Sequence, residues 1–193
     1  MSIICYYIRC SPAQIEALSD GPEIIFESER WPAGVEVINI DKAYEGLAWL
    51  VSPLKRAEAA HDQRLLNEPD WPDTEARASV ANLNSMPTDD AYLAIEGRSD
   101  ETIDAIKFGL GGAAHFSPER ASALSKTISM LSEAQLRAQL DFAEMDEHDV
   151  TPGYWVDDGE DNFRSYLLPA LQRLQTFYAS ASANGQAVLV VRT

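Results

Sequence analysis

Ile3-Ile4-Cys5-Tyr6-Tyr7-Ile8, running into Ser11-Pro12-Ala13-Gln14, opens this chain, and Gln186-Ala187-Val188-Leu189-Val190-Val191-Arg192 closes it. The first stretch is dense in β-branched and aromatic residues, which suit a pleated surface, so it reads as a strand. A helix follows for a chemical reason. Ser11 is placed to accept from the amide three residues on, Gln14 to reach back to the cap, and Pro12 stands at the first helical position, where a missing N–H is harmless. Ile15 and Leu18 then face the core. The valine-rich closing stretch reads as a second strand, released from a helix at Asn184-Gly185. Strands at both ends of a helix-rich chain predict an α+β fold. The expected architecture is one domain over residues 1–193, with a mixed or antiparallel sheet that includes both terminal strands and packs against several helices.

Between these ends the signals are uneven. Gly21 to Gly34 reads as a short helix or strand plus loop. Val35 to Ile40 is a short apolar segment ending at Asp41, which is placed to cap a helix through Val51 with Tyr44, Leu47, Ala48 and Val51 as its buried stripe. Residues 53–90 hold two helical candidates, Arg56 to Leu66 and Thr74 to Leu83, and too few large apolar residues for a separate core, so they read as a helical and loop excursion over the surface. Tyr92 to Ile95 reads as a strand or extended segment. Gly109 to Phe116 reads as a glycine-rich turn into a helix opened by Ser117-Pro118, with Ala121, Leu124, Ile128 and Leu131 buried. Ser132 with Gln135 repeats the capping pattern before Leu136 and Leu140. From Phe163 to Tyr178 the period is helical, and Pro169 predicts a kink, or a helix that starts only near Leu168.

Charge is the global feature that departs from an average domain. The 193 residues carry 15 basic and 31 acidic side chains, a formal charge of −16. A phosphate-neutralising surface is hard to build on such a chain, so nucleic acid is not an expected partner. The longest apolar runs fall far short of the roughly 20 residues that cross a bilayer, and the first ten residues do not resemble a secretory leader, so a cytoplasmic protein without a membrane span is expected. Cys5 and Cys10 match neither redox nor zinc spacing and read as reduced residues in or beside a strand.

The order of these landmarks resembles the YfbM-like family of small bacterial proteins of unknown function. The likeness rests on Ile4-Cys5-Tyr6-Tyr7 with Ser11-Pro12; on Ile40-Asp41-Lys42-Ala43-Tyr44 with Gly46-Leu47 and Trp49-Leu50; on Gly109 to Phe116 with Ser117-Pro118-Glu119; on Met145-Asp146 through Tyr154-Trp155; and on the closing Phe177-Tyr178, Gly185 and Ala187-Val188-Leu189. It covers most of the chain outside residues 53–90, where this protein carries a longer connection. The resemblance implies a single α+β domain and brings no established catalytic residues.

The acidic charge is concentrated. Asp141, Glu144, Asp146, Glu147, Asp149, Asp157, Asp158, Glu160 and Asp161 lie within 21 positions that hold no Lys or Arg, with Tyr154 and Trp155 among them. Such a stretch is a solvated rim or a surface for a basic protein, and an aromatic pair ringed by charge is either an interface anchor or a tether to the core. The first functional expectation is therefore an acidic protein-binding module that docks on a basic toxin or enzyme, as an immunity protein does, through Asp146, Glu147, Asp149, Tyr154, Trp155, Asp157, Asp158, Glu160 and Asp161. The alternative is a small-molecule binder or enzyme with a cleft at Gly109, Gly111, Gly112 and His115, beside the Ser117 helix. Those glycines lack the Lys-Ser/Thr of a P-loop and the spacing of a dinucleotide fingerprint. Glu144 and His148 share a helix face, yet no third metal ligand has an address, and Asp157 to Asp161 lacks the alternation of a calcium loop. No serine elbow or local cysteine signature occurs, so no catalytic residue, metal or cofactor is assigned.

Overall fold

The structure, a computed structural model, describes residues 4–21, 33–68, 70–99, 101–107 and 112–192. Its centre is the pairing of the two terminal strands. β1 (Cys5–Cys10) runs antiparallel to β5 (Ala187–Arg192), with Tyr7 opposite Val190 and Ile8 opposite Leu189. Successive side chains leave a strand on opposite sides. Cys5, Tyr7, Val188 and Val190 thus enter the larger core, and Ile8, Cys10, Leu189 and Val191 a smaller core on the other face. Because both faces are covered, these strands read as nearly continuous apolar runs. β2 (Glu36–Asn39) adds to β1, β4 (Gly112–Phe116) to β5, and β3 (Thr102–Lys107) to β4. The order is β2-β1-β5-β4-β3 with every neighbouring pair antiparallel, which is the α+β sheet expected from the sequence.

α1 (Pro12–Asp20) carries both bonds of the Ser11–Gln14 capping box, and its Leu18 closes the smaller core. The larger core lies under α2 (Ala43–Val51), α5 (Asp90–Glu96), α6 (Pro118–Ser129) and α10 (Leu168–Ala183). Tyr7, Trp49, Tyr92, Phe116, Trp155, Phe163, Phe177 and Tyr178 are all buried there. Each large apolar side chain removed from water in this way stabilises the fold by about 1.5–3 kcal/mol. α3 (Pro53–Asn67) and α4 (Asp73–Ser85) realise the two helical candidates of the surface excursion; α3 buries only Leu54, and α4 buries no residue.

Three expectations are corrected. Tyr92 to Ile95 is helical, not extended. α5 forms because both ends are capped from outside the apolar stretch: Asp89 accepts the Tyr92 amide at 2.8 Å, and Gly97 closes the helix with φ +63. Its last carbonyls are bonded by buried tyrosines, Tyr178 to Ala94 at 3.0 Å and Tyr7 to Ile95. Asp41 does not cap α2. It sits at φ +52 and accepts from the Tyr166 hydroxyl at 2.9 Å, while that hydroxyl accepts from the Lys42 amide at 3.0 Å. The glycine-rich segment is not all turn, since residues 112–116 form β4. The reading of Gly21 to Gly34 falls, over residues 22–32, outside the described residues. At Pro169 the chain adopts the second of the two expected arrangements: α10 starts at Leu168, and a π turn, Phe163–Leu167, carries the preceding helix into it.

Candidate functional site

The acidic stretch folds into α8 (Phe142–Glu147), a tight connection over residues 148–154, and α9 (Trp155–Asn162). Asp141 caps α8 by accepting the Glu144 amide at 3.0 Å. The connection holds a cis Thr151–Pro152 bond and positive φ at Asp149 (+50), Gly153 (+81) and Tyr154 (+58). It is fastened at several points. Gly153 N–H donates to the Val150 carbonyl at 2.9 Å, Asn162 Nδ2 to the Gly153 carbonyl at 3.1 Å, and Thr151 Oγ1 to Glu45. Two left-handed non-glycine residues in six are held only where surrounding bonds over-determine them.

The predicted contact residues fall into two groups. Asp146, Trp155 and Glu160 build the scaffold. The Asp146 carboxylate accepts the first two free amides of α9, from Trp155 at 2.6 Å and Val156 at 2.7 Å. Trp155 is a correction: its side chain is wholly buried, its Nε1 donates to the Val150 carbonyl at 2.6 Å, and its ring stacks on Phe142. A ring in the core cannot touch a partner. Glu160 is forked by Arg137 of α7 (Glu133–Arg137) at 2.8 and 2.9 Å and paired with Arg164, and these guanidiniums hold its carboxyl down at about 2.

Glu147, Asp149, Asp157, Asp158 and Asp161 are exposed and have no side-chain partner among the described residues. Tyr154 stands between them, 75% exposed, with Val156 64% exposed one turn edge away. Asp146, Asp149, Pro152, Tyr154 and Asp157 line a recess of about 470 Å³. On the other side of the connection Glu147, His148 and Asp149 border a larger groove of about 640 Å³ whose other walls are α2 and α3, with Leu83 of α4 and Arg98. That groove brings in Glu45, Trp49, Glu58 and Asp62. Sequence reasoning missed these because they lie about 90 positions away, and only packing carries them to the acidic stretch. The His148 ring lies 5.1 Å from the Trp49 ring. Among the described residues no group of three or more His, Cys, Asp and Glu is arranged to hold a metal.

Of the alternative residues, Gly112 and His115 are described, and they border different cavities. Gly109 and Gly111 lie outside the described residues. Gly112 sits in β4, and His115 bonds Glu101 at 2.9 Å and borders a different cavity, of about 440 Å³, with Arg98, Ser117 and Arg120. The α6 N-terminus is already served by the chain itself. Ser117 Oγ accepts the Arg120 amide at 3.3 Å, and the Glu119 carboxyl is held below the usual range by its own backbone amide and by the Ser117 hydroxyl. An anion expected at that helix end would have to displace Glu119.

No described helix is long and apolar enough to cross a membrane. Among solved structures, the chain is similar to YfbM from Escherichia coli, a protein of unknown function, at a TM-score of 0.62 and 15% identity over 97% of this chain and 98% of that one. At that identity the likeness shows the fold alone. Among curated proteins no sequence matches. A family model, domain of unknown function DUF1877, matches residues 1–191, so the chain belongs to that family.

Proposed function

We propose that this protein is a binding module that docks a basic protein partner through the face centred on Tyr154, in the manner of an immunity-type inhibitor covering a positively charged active site. The observation that carries the reading is Tyr154 itself: a 75% exposed aromatic, locked at φ +58 between a buried Trp155 anchor and a fastened loop. A rigid aromatic loses little conformational freedom on binding, and burying it yields the large apolar gain typical of interface anchors. Asp149, Asp157 and Asp158 around it supply the steering field for a basic surface. The free, buried thiols of Cys5 and Cys10 support a reducing, cytoplasmic setting.

The test uses the whole protein as bait at low salt and again at about 0.5 M salt, beside Tyr154→Ala and an Asp149→Asn, Asp157→Asn, Asp158→Asn variant. A basic protein retained at low salt by the wild type, and lost by both variants, is the expected result. Retention of the same protein by both variants would sink the reading.

A further inference from the structure

Three of the chain's guanidiniums, from Arg98, Arg120 and Arg192, gather at two neighbouring cavities that share Arg98 and Ser99. One is the cavity beside His115. The other, of about 420 Å³, lies over the ends of β3, β4 and β5; its described lining includes Arg98, Arg192, Ser99 and Thr102 and no carboxylate, with Asp104 Oδ1 beside Gly112 at its edge. Each of the three has an acid beside it, Glu58 for Arg98, Asp90 for Arg120 and Glu96 for Arg192, and the three are not equally satisfied.

The two arginines are held differently. Arg98 follows the left-handed Gly97, places both Nη atoms on Glu58 at 2.8 and 3.3 Å, and lies over the Tyr92 ring at 5.2 Å. That fixes the guanidinium plane while leaving three of its five N–H donors uncommitted. Arg192 is under-compensated. Its nearest carboxylate, Glu96, is 2% exposed and already takes Lys55 Nζ at 2.9 Å, so Arg192 Nη1 stands off at 3.7 Å. One buried carboxylate thus faces two cations. The Arg192 side chain makes no hydrogen bond among the described residues and is 36% exposed, open to a second anion.

We propose that the recess between Arg98 and Arg192 binds a small oxyanion, a phosphate or carboxylate group carried by a small molecule. A guanidinium takes either head group through two parallel N–H donors, and two guanidiniums on one recess suit a single doubly held anion. The Thr102 hydroxyl adds a donor at the rim. The molecule's body continues past Arg98 into the second cavity, where Leu93 and Phe116 offer an apolar wall and Arg120 is already forked on Asp90 at 2.6 and 3.1 Å.

Sodium phosphate and sodium acetate are titrated into the full chain at constant ionic strength set with sodium chloride, and backbone amide resonances are followed. A saturable shift confined to residues 97–99, 112–114 and 190–192 with phosphate, with acetate, or with both is expected, and the pattern names the head group. Arg192→Gln, and Thr102→Glu at an exposed position that leaves the core untouched, should each weaken binding at least tenfold. Linear shifts indistinguishable from sodium chloride, or equal affinity in both variants with their folds intact, would overturn the assignment. Neither outcome depends on the Tyr154 face.

Discussion

Glu160 shows how a residue's partners decide what it is for. In the sequence it is one of nine carboxylates with nothing to distinguish it; in the structure it is the acceptor for Arg137 and Arg164 and joins α7 to α9. Its carboxyl is held down at about 2, against an ordinary value of 4.5. A group whose folded pKa is depressed adds stability that is complete above its unfolded value and disappears as pH falls through the folded one. Between pH 4.5 and 2 the wild type should therefore lose stability faster than Glu160→Gln, and chemical denaturation across that window checks it. Parallel acid limbs for the two proteins would show that the pairing contributes nothing. Asp146 and Trp155 were likewise part of a single acidic and aromatic cluster until burial and capping separated them from Tyr154.

At the scale of elements, what decides helix or strand lies outside the apolar run itself. Tyr92 to Ile95 is too short for periodicity to separate strand from helix, and the arbiters, the Asp89 cap and the left-handed Gly97, lie just outside it. Gly97 is also where backbone meets sheet: a Cβ there would stand 2.3 Å from the Val190 side chain. Gly97→Ala combines a left-handed alanine with a clash and should cost on the order of 2–4 kcal/mol. A urea midpoint unchanged from wild type would contradict that packing. β3 has no period-two signature in the sequence: the residues that fit a strand, Ile103 and Ile106, are three apart, and the ladder to β4 shifts register between Ile103 and Lys107. A bulge inserts a residue and breaks the period of two that sequence patterns rely on.

For the whole molecule, charge is distributed in a way that composition hides. Five acids without side-chain partners among the described residues, Glu147, Asp149, Asp157, Asp158 and Asp161, share the face formed by α8, α9 and the loop between them, whereas Arg98, Arg120 and Arg192 line the cavities at the ends of β3 to β5. A net charge of −16 on one compact unit repels itself, and salt screens that repulsion more than it weakens short ion pairs. The melting temperature should therefore rise by a few degrees as sodium chloride is raised to about 0.5 M. A fall would mean that pairs such as Arg137 with Glu160 outweigh the repulsion.

The sequence by itself determined the two terminal strands, the Ser11, Ser117 and Ser132 caps, the helices of residues 53–90 and the acidity of residues 141–161. These follow from local rules: side-chain fit to a pleat, hydrogen bonds three residues apart, and a count of charges. Tertiary structure alone decided which carboxylates remain free, that Trp155 is core while Tyr154 is surface, and that Arg98 and Arg192 share a recess. Those facts depend on groups that folding brings together, from Arg137 with Glu160 in neighbouring helices to Arg98 with Arg192 at opposite ends of the chain's second half, and nothing short of the packed core sets their distances.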